Sequence, residues 1–316
     1  LAYVYRYGPM QSLGELMLIE ELDYQTRQFL ALFVYVENPV EEKEKLRLKT
    51  LLKGGRHEVT SRLDVPLYKR DGYQIPEDEV LLKNPNKVYL GNSLYHNIRY
   101  TYQYRNRLFW GFTAEKDAGE PFGSYGNMAY DAYSFHFLLK DCGKLKALAL
   151  GDYRVGFGEG LVVNSDFSLG KSTLFNMGDT RPSIKKFSST SETSFFRGMA
   201  VTFRFGKVDV SAFYSYLPTD ATLRKDGTVS SLKTDGLHRT LLELSKKHNV
   251  MEQSAGADVT WNTEYFSLGA TAFYQHFSRS FSKGTELYRQ YYPEGKDFLN
   301  ASLHYRWHRD RISFSG

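Results

Sequence analysis

From Arg56 onward the chain alternates apolar and polar residues with a period of two, over nearly all of its remaining length. A period of two gives a β-strand one apolar and one polar face. In "KVDVSAFYSYL", Val208, Val210, Ala212, Tyr214 and Tyr216 share one face, and Asp209, Ser211, Phe213 and Ser215 share the other. The preceding strand, "SFFRGMAVTFRF", alternates in the same way and reverses at Gly206-Lys207. The same pattern recurs in "RHEVTSRLDVPL", "LYHNIRYTYQYR", "RLFWGFTAE", "AYSFHFLLK", "SAGADVTW", "YFSLGATAFYQHF", "FLNASLHYRW" and "RISFSG", while "LKALALGDY" is ambiguous, being apolar on both faces. That is about eleven strands of roughly 8–12 residues, longer than the usual strand of a soluble domain.

The connections sort into two classes. Short ones fall near residues 105–107, 141–144, 206–207, 262–264 and 308–310, and long ones near 68–92, 117–130, 155–193, 218–250 and 278–296. Short and long alternate, so in an up-and-down meander every tight turn lies at one end and every long loop at the other. A Greek-key sandwich is not expected to sort its loops this way. The charges keep to the face opposite the aromatics, which makes Arg62, Arg99, Arg197, Arg204, Asp209, Asp258 and Arg306 candidate lumen-facing residues. Tyr102, Tyr104, Trp110, Tyr214, Tyr216, Trp261, Tyr274 and Trp307 cluster near strand ends, where interfacial aromatic girdles sit.

Composition agrees. Aromatics make up 16% of the chain while hydrophobic residues reach only 41%, and there is no run of eighteen apolar residues for a spanning helix. The expected fold is mainly β: an antiparallel up-and-down transmembrane β-barrel over residues 56–316, preceded by a small α-helical segment. Eleven is an odd number and the sequence closes inside "RISFSG", so further strands are expected to complete the barrel.

Residues 10–36 carry helical spacing in "MQSLGELMLI" and "DYQTRQFLALFVYV", with Asp23 placed to cap the second helix. Two short helices joined by "EEL" make a helix-turn-helix or helix-hairpin-helix unit. The expected organisation is therefore a helix-hairpin-helix segment over 1–39, a charged linker over 40–55 and the barrel over 56–316. A long loop follows the first strand, which puts the helical segment on the short-turn, periplasmic side.

"YGPMQSLGELMLIEELDYQTRQFLALFVYV" (7–36) resembles the helix-hairpin-helix repeats that precede an outer-membrane barrel in Bacteroidetes proteins. "GDYRVGFGEGLVVNSDFSLGKS" (151–172) and "GLHRTLLELSKKHNV" (236–250) are similar to recurring segments of that family's barrel. The resemblance implies an outer-membrane protein of a Gram-negative bacterium, with lipid and lipopolysaccharide around the barrel. It leaves the biochemical role open.

Other motifs weigh less. Helix-hairpin-helix units that bind DNA present backbone N–H groups of a Gly-x-Gly hairpin to phosphate. Here the hairpin reads Glu20-Glu21-Leu22-Asp23, with no glycine and three carboxylates, so nucleic acid is disfavoured as its partner. "DFSLGKS" lacks the first glycine of a phosphate-binding loop, having Ser165 there. The glycines of "GFGEGL" suit an extended segment approached by another backbone, or a bend in a barrel wall. The eight histidines show no metal spacing, no hydrolase signature joins His136, His276 and Asp258, and the single Cys142 forms no internal disulfide. The 155–193 connection is locally basic through Lys171, Arg181, Lys185 and Lys186, and is either a solvated loop or an inward fold that constricts the lumen. "RTLLELSKKHN" reads as a short amphipathic helix above the barrel.

The expected role is that of a pore or of a structural partner in an outer-membrane complex, with the helix-hairpin-helix as a module for docking a protein partner. It needs no cofactor and no catalytic residues. The alternative is a DNA-uptake component.

Overall fold

The computed structural model describes residues 16–17, 19, 22–30, 32–34, 54–74, 78–165, 183–283, 287–309 and 312–316. The chain divides into two compact units, Leu1–Thr50 and Leu51–Gly316. In the first, helix α1 (Tyr24–Leu30) starts where Asp23 caps it, the Asp23 carboxylate accepting a hydrogen bond from the Thr26 amide at 3.2 Å. The expected first helix, the linker and the hairpin residues Glu20 and Glu21 fall largely or wholly outside the described residues.

The second unit is mainly antiparallel β. Its strands are β1 (Arg56–Asp64), β2 (Tyr95–Tyr104), β3 (Leu108–Lys116), β4 (Ala132–Cys142), β5 (Leu145–Gly156), β6 (Ser183–Lys186), β7 (Phe196–Phe205), β8 (Val208–Thr219), β9 (Ala221–Leu223), β10 (Val229–Leu232), β11 (Val250–Asn262), β12 (Phe266–Phe281), β13 (Gly295–Arg309) and β14 (Ile312–Ser315). Together they form one 14-stranded sheet. Eleven of them run up and down in sequence order, β1-β2-β3-β4-β5-β7-β8-β11-β12-β13-β14. Each neighbouring pair is antiparallel. Short and long connections alternate along this meander as the sequence predicts. Three small strands lie within long connections: β6 on β5, and the β9–β10 ladder, which meets β12 where Val229 pairs with Phe281. Among the described residues nothing pairs with the outer side of β1 or β14, so the sheet is open.

Register carries one set of side chains across the whole sheet. Arg62 lies opposite Asn97, Asn97 opposite Glu115, and Thr113 opposite Ser134. Further along, Thr202 lies opposite Ser211, Ser211 opposite Asp258, Asp258 opposite Thr271, and Thr271 opposite Ser302. This polar face is the buried one. Asp209, Ser211, Asp258, Thr260 and Thr271 are each at most 4% exposed, while Met199, Phe205, Tyr214, Tyr216, Val259, Trp261, Leu268 and Tyr274 on the opposite face are 42–52% exposed. A water-soluble sheet protein places these two classes the other way round.

Two of the expected girdle residues depart from this pattern. Tyr102 and Tyr104 are buried at 1% and 6% exposure. Gly55, which leads into β1, lies against the Tyr102 ring so closely that a Cβ there would sit 2.2 Å from it, and His57 packs edge-on at 4.7 Å between centroids.

Candidate functional site

All seven charged residues read from the strands lie on or line the polar face, and most are neutralised locally. Arg204 makes a bidentate pair with Asp209 across the Gly206 turn, at 2.6 and 2.7 Å. Arg197 grips the buried Asp152 at 2.6 and 3.0 Å and also donates to the Tyr133 carbonyl. Asp258 is fully buried and accepts the Thr260 and Thr271 hydroxyls, both at 2.7 Å. Arg62 pairs with Asp64 on the exposed edge strand β1, and Arg99 is half-buried on β2 opposite Thr60 and Thr113. Arg306 lines a cavity of about 280 Å³ at the short-turn end, together with Arg204, Lys207, His304 and His308.

The long β5–β7 connection folds inward over the polar face. Phe157, Val163, Ile184 and Phe187 are buried at 4% exposure or less. Phe157, Val163 and Ile184 join Phe109, Leu138, Phe213 and Phe273 of the sheet in one apolar cluster. Phe213 is the hub, with ring centroids 4.7 Å from Phe196, 5.8 Å from Phe157 and 5.9 Å from Phe273. The connection reaches as far as β13: at Gly158, in the left-handed region at φ +54°, a Cβ would stand 2.6 Å from the His304 ring. The "GFGEGL" glycines therefore shape a turn against a side chain, and the extended segment expected there ends at Gly156.

Of the residues expected to form a basic constriction, two are described. Lys185 and Lys186 belong to strand β6, paired with Arg154 and Tyr153, because the inward fold brings this stretch against the β5 backbone. The Lys186 ammonium sits 5.0 Å over the Phe109 ring. Lys171 and Arg181 lie outside the described residues. What fills the middle of the polar face is aromatic and aliphatic.

At the long-loop end, three connections interlock. Helix α2 (Asp78–Lys83) precedes a chain segment whose Leu90 amide donates to the Arg239 carbonyl at 2.8 Å. The Gly91 amide donates to the Gly119 carbonyl at 2.9 Å, which ties the β1–β2 connection to the β3–β4 connection. The expected amphipathic stretch contains helix α3 (Leu241–Leu244), where Thr240 caps the Glu243 amide and Arg239 pairs with the Glu243 carboxylate.

The centre of this cap is His238. Its Nδ1 meets Asp131 at 2.6 Å, its Nε2 meets Asp220 at 2.5 Å, and its backbone N–H donates to Glu120 at 2.8 Å. Lys247 donates to Asp131 at 2.7 Å. Burial lowers the His238 pKa, but its hydrogen bonds to both aspartates outweigh this and raise the group to about 9. Burial raises Asp131, yet its bonds to His238 and Lys247 bring it down to about 2. The imidazole is therefore a cation near neutral pH, held between two carboxylates. Glu120 is raised to about 7, first by burial and then by Asp131.

Ligand atoms of Glu120, Asp131 and His238 lie within 4.8 Å of one another. Both imidazole nitrogens are already committed to aspartates, and the Lys247 ammonium neutralises Asp131. The donor set fits an internal ion network and not a metal, which needs a neutral imidazole.

Beneath the cap lies a cavity of about 510 Å³, lined by polar groups of β3, β4, β7, β11 and β12 and by residues 189–196. Sequence reading misses both cap and cavity. Their residues sit in long connections, and the partners of His238 are 18, 107 and 118 residues away, so no periodicity links them. No family model matches the chain, and no curated protein matches it.

Proposed function

We propose that the chain is an outer-membrane β-barrel protein whose interior is occupied by its own β5–β7 connection, acting as a structural partner in an outer-membrane complex. The observation that carries this reading is the inversion of the sheet. The apolar face is exposed, and carboxylates and hydroxyls are buried on the other. Leaving so many large apolar side chains in water forgoes roughly 1.5–3 kcal/mol for each one fully buried, and a bilayer recovers it. A contiguous exposed face of this kind marks a membrane or protein interface. Lipid tolerates no open sheet edge, so the reading also requires strands that pair with β1 and β14 there.

The aromatic cluster around Phe213 favours a closed interior over a standing pore. The N-terminal helix-hairpin-helix serves in this reading as the docking module. DNA uptake is the second reading, and the hairpin's carboxylates weigh against it.

The test is depth-resolved quenching. Trp261 is 46% exposed on the apolar face near a short turn. When the protein is reconstituted into vesicles carrying brominated lipids, its fluorescence is expected to be quenched most by bromine placed high on the acyl chains. Fluorescence indifferent to bromine at any depth sinks the membrane assignment.

A further inference from the structure

The cavity of about 510 Å³ under the cap has a wall charged in one sense. Its basic groups are already held: Arg197 by Asp152, Lys233 by Asp235 and Lys247 by Asp131. Asp131 and Asp220 are neutralised by His238. Three carboxylates remain. Glu115 accepts the Tyr95 hydroxyl, and Glu252 accepts Ser254 and Gln275, but neither has a cation within ion-pair distance among the described residues. Glu192 has no hydrogen-bond or ion-pair partner among them.

A second observation is independent of these acids. Thr113, only 3% exposed, lines the cavity with a buried hydroxyl that has no hydrogen-bond partner among the described residues, and the buried hydroxyls of Ser134, opposite it on β4, and of Thr219, on β8, are also unpartnered there. Buried polar atoms are nearly always satisfied, so three orphans around one cavity point to an occupant. The remaining wall is aromatic, formed by Phe195, Phe196 and Phe273.

We propose that this cavity binds a small organic cation. An ammonium head would lie in the field of Glu115, Glu192 and Glu252, which line the cavity without converging on one point, while an apolar body packs on the three phenylalanines. An ammonium offers three donors and no acceptor, the complement of carboxylates and hydroxyl lone pairs. Aromatic faces add attraction for the cation. An anion would face three acidic side chains and no unpaired cation among the described lining residues. The volume lies within the range of sites for ligands of this size.

Protonation gives a second readout. Glu192 is raised to about 8, first by burial, then by Glu120 and Asp131, against which His238 and Lys247 pull it down. Those four groups face it from the β3–β4 and β8–β11 connections. An arriving cation favours the ionised carboxylate, so binding at pH 7 is expected to release a proton, and affinity is expected to rise between pH 6.5 and 8.

The experiment is calorimetry on the full chain, folded in non-ionic detergent, with 2-phenylethylamine, 2-phenylethanol and phenylacetate as probes. This does not depend on the membrane proposal, since failure to insert into vesicles leaves it unaffected. The amine is expected to bind at least tenfold more tightly than the alcohol, and phenylacetate not at all. Glu192→Gln is expected to weaken amine binding at least tenfold and to abolish proton release, whereas Lys207→Ala at the opposite end changes neither. If Glu192→Gln does not fold, Glu252→Gln must show the tenfold loss. Equal binding of amine and alcohol, no amine binding at millimolar concentration, or unchanged binding in the folded variant overturns the proposal.

Discussion

His238 holds the long-loop end together because one imidazolium satisfies two buried aspartates while its own backbone N–H occupies Glu120. The pH dependence follows from the direction of each shift. His238 is raised from 6.5 to about 9, so its stabilisation is complete below about pH 6.5 and is lost as pH rises through 9. Asp131 is depressed from 3.8 to about 2, so its contribution is present above 3.8 and is lost as pH falls through 2. Glu120 and Glu192 are raised from 4.5 to about 7 and about 8, so their contributions are complete below about pH 4.5 and are lost as pH rises through 7 and 8, ahead of the loss from His238. Amide hydrogen exchange over 233–240, corrected for its intrinsic pH dependence, is expected to be slowest near pH 4 to 4.5 and to accelerate progressively toward pH 9. His238→Gln keeps a similar volume but leaves Asp131 and Asp220 without their shared cation, and is expected to cost about 3–5 kcal/mol. Flat exchange across that pH range, or a neutral substitution, means the network is not holding the cap. At this scale the sequence was only partly legible. Charges on strands could be placed because alternation fixes which way each points, as Asp209 and Asp258 illustrate. His238 and its partners carry no such marker.

Elements were legible where they are long and periodic. The eleven meander strands follow from alternation and from the tight turns between them, because a one-residue slip would carry Asp258 or Thr271 to the apolar face. Strands β6, β9 and β10 have only three or four residues, too few for a period to emerge. The inward fold of the β5–β7 connection was only one of two open readings, since what decides it is contact between Gly158 and His304, far apart in the chain. A single strand tests the meaning of its two faces. Ala212 is exposed on β8, between Val201 and Ala257 on the neighbouring strands. If that face meets acyl chains near the bilayer midplane, Ala212→Arg is expected to lower folding stability in vesicles by about 2–4 kcal/mol. Met128→Arg, at an 89% exposed loop position, is expected to stay within about 0.5 kcal/mol. Ser211 is no neutral control: it is fully buried, 2.9 Å from the Thr202 hydroxyl, and an arginine there has no room in any solvent. Equal tolerance of arginine at 212 and 128 in refolding titrations removes lipid from the apolar face.

For the whole molecule, the proposed docking of a protein partner is to be set against the second proposal, receiving DNA. Tight binding to duplex DNA needs cations free to replace the counterions of phosphates, and each phosphate contact steepens the fall of affinity with salt. The formal charge of +5 supplies little excess, with 41 basic residues against 36 acidic ones. Many of the basic groups are spent internally: Arg197 on Asp152, Arg204 on Asp209, Arg239 on Glu243, Lys247 on Asp131. The hairpin that would meet a phosphate carries Glu20, Glu21 and Asp23, and the connector "EEKEKLRLK" balances its four cations with Glu41, Glu42 and Glu44 together with nearby Glu37. Fluorescence anisotropy of a labelled duplex, titrated with the full chain in non-ionic detergent, is therefore expected to show no saturable binding at physiological ionic strength. Lowering the salt is expected to add only weak, non-saturating association. Tight binding whose logarithm falls steeply with the logarithm of salt concentration would mean that several phosphates find unpaired cations. In that case docking is the wrong role for the N-terminal unit, and DNA transport takes its place.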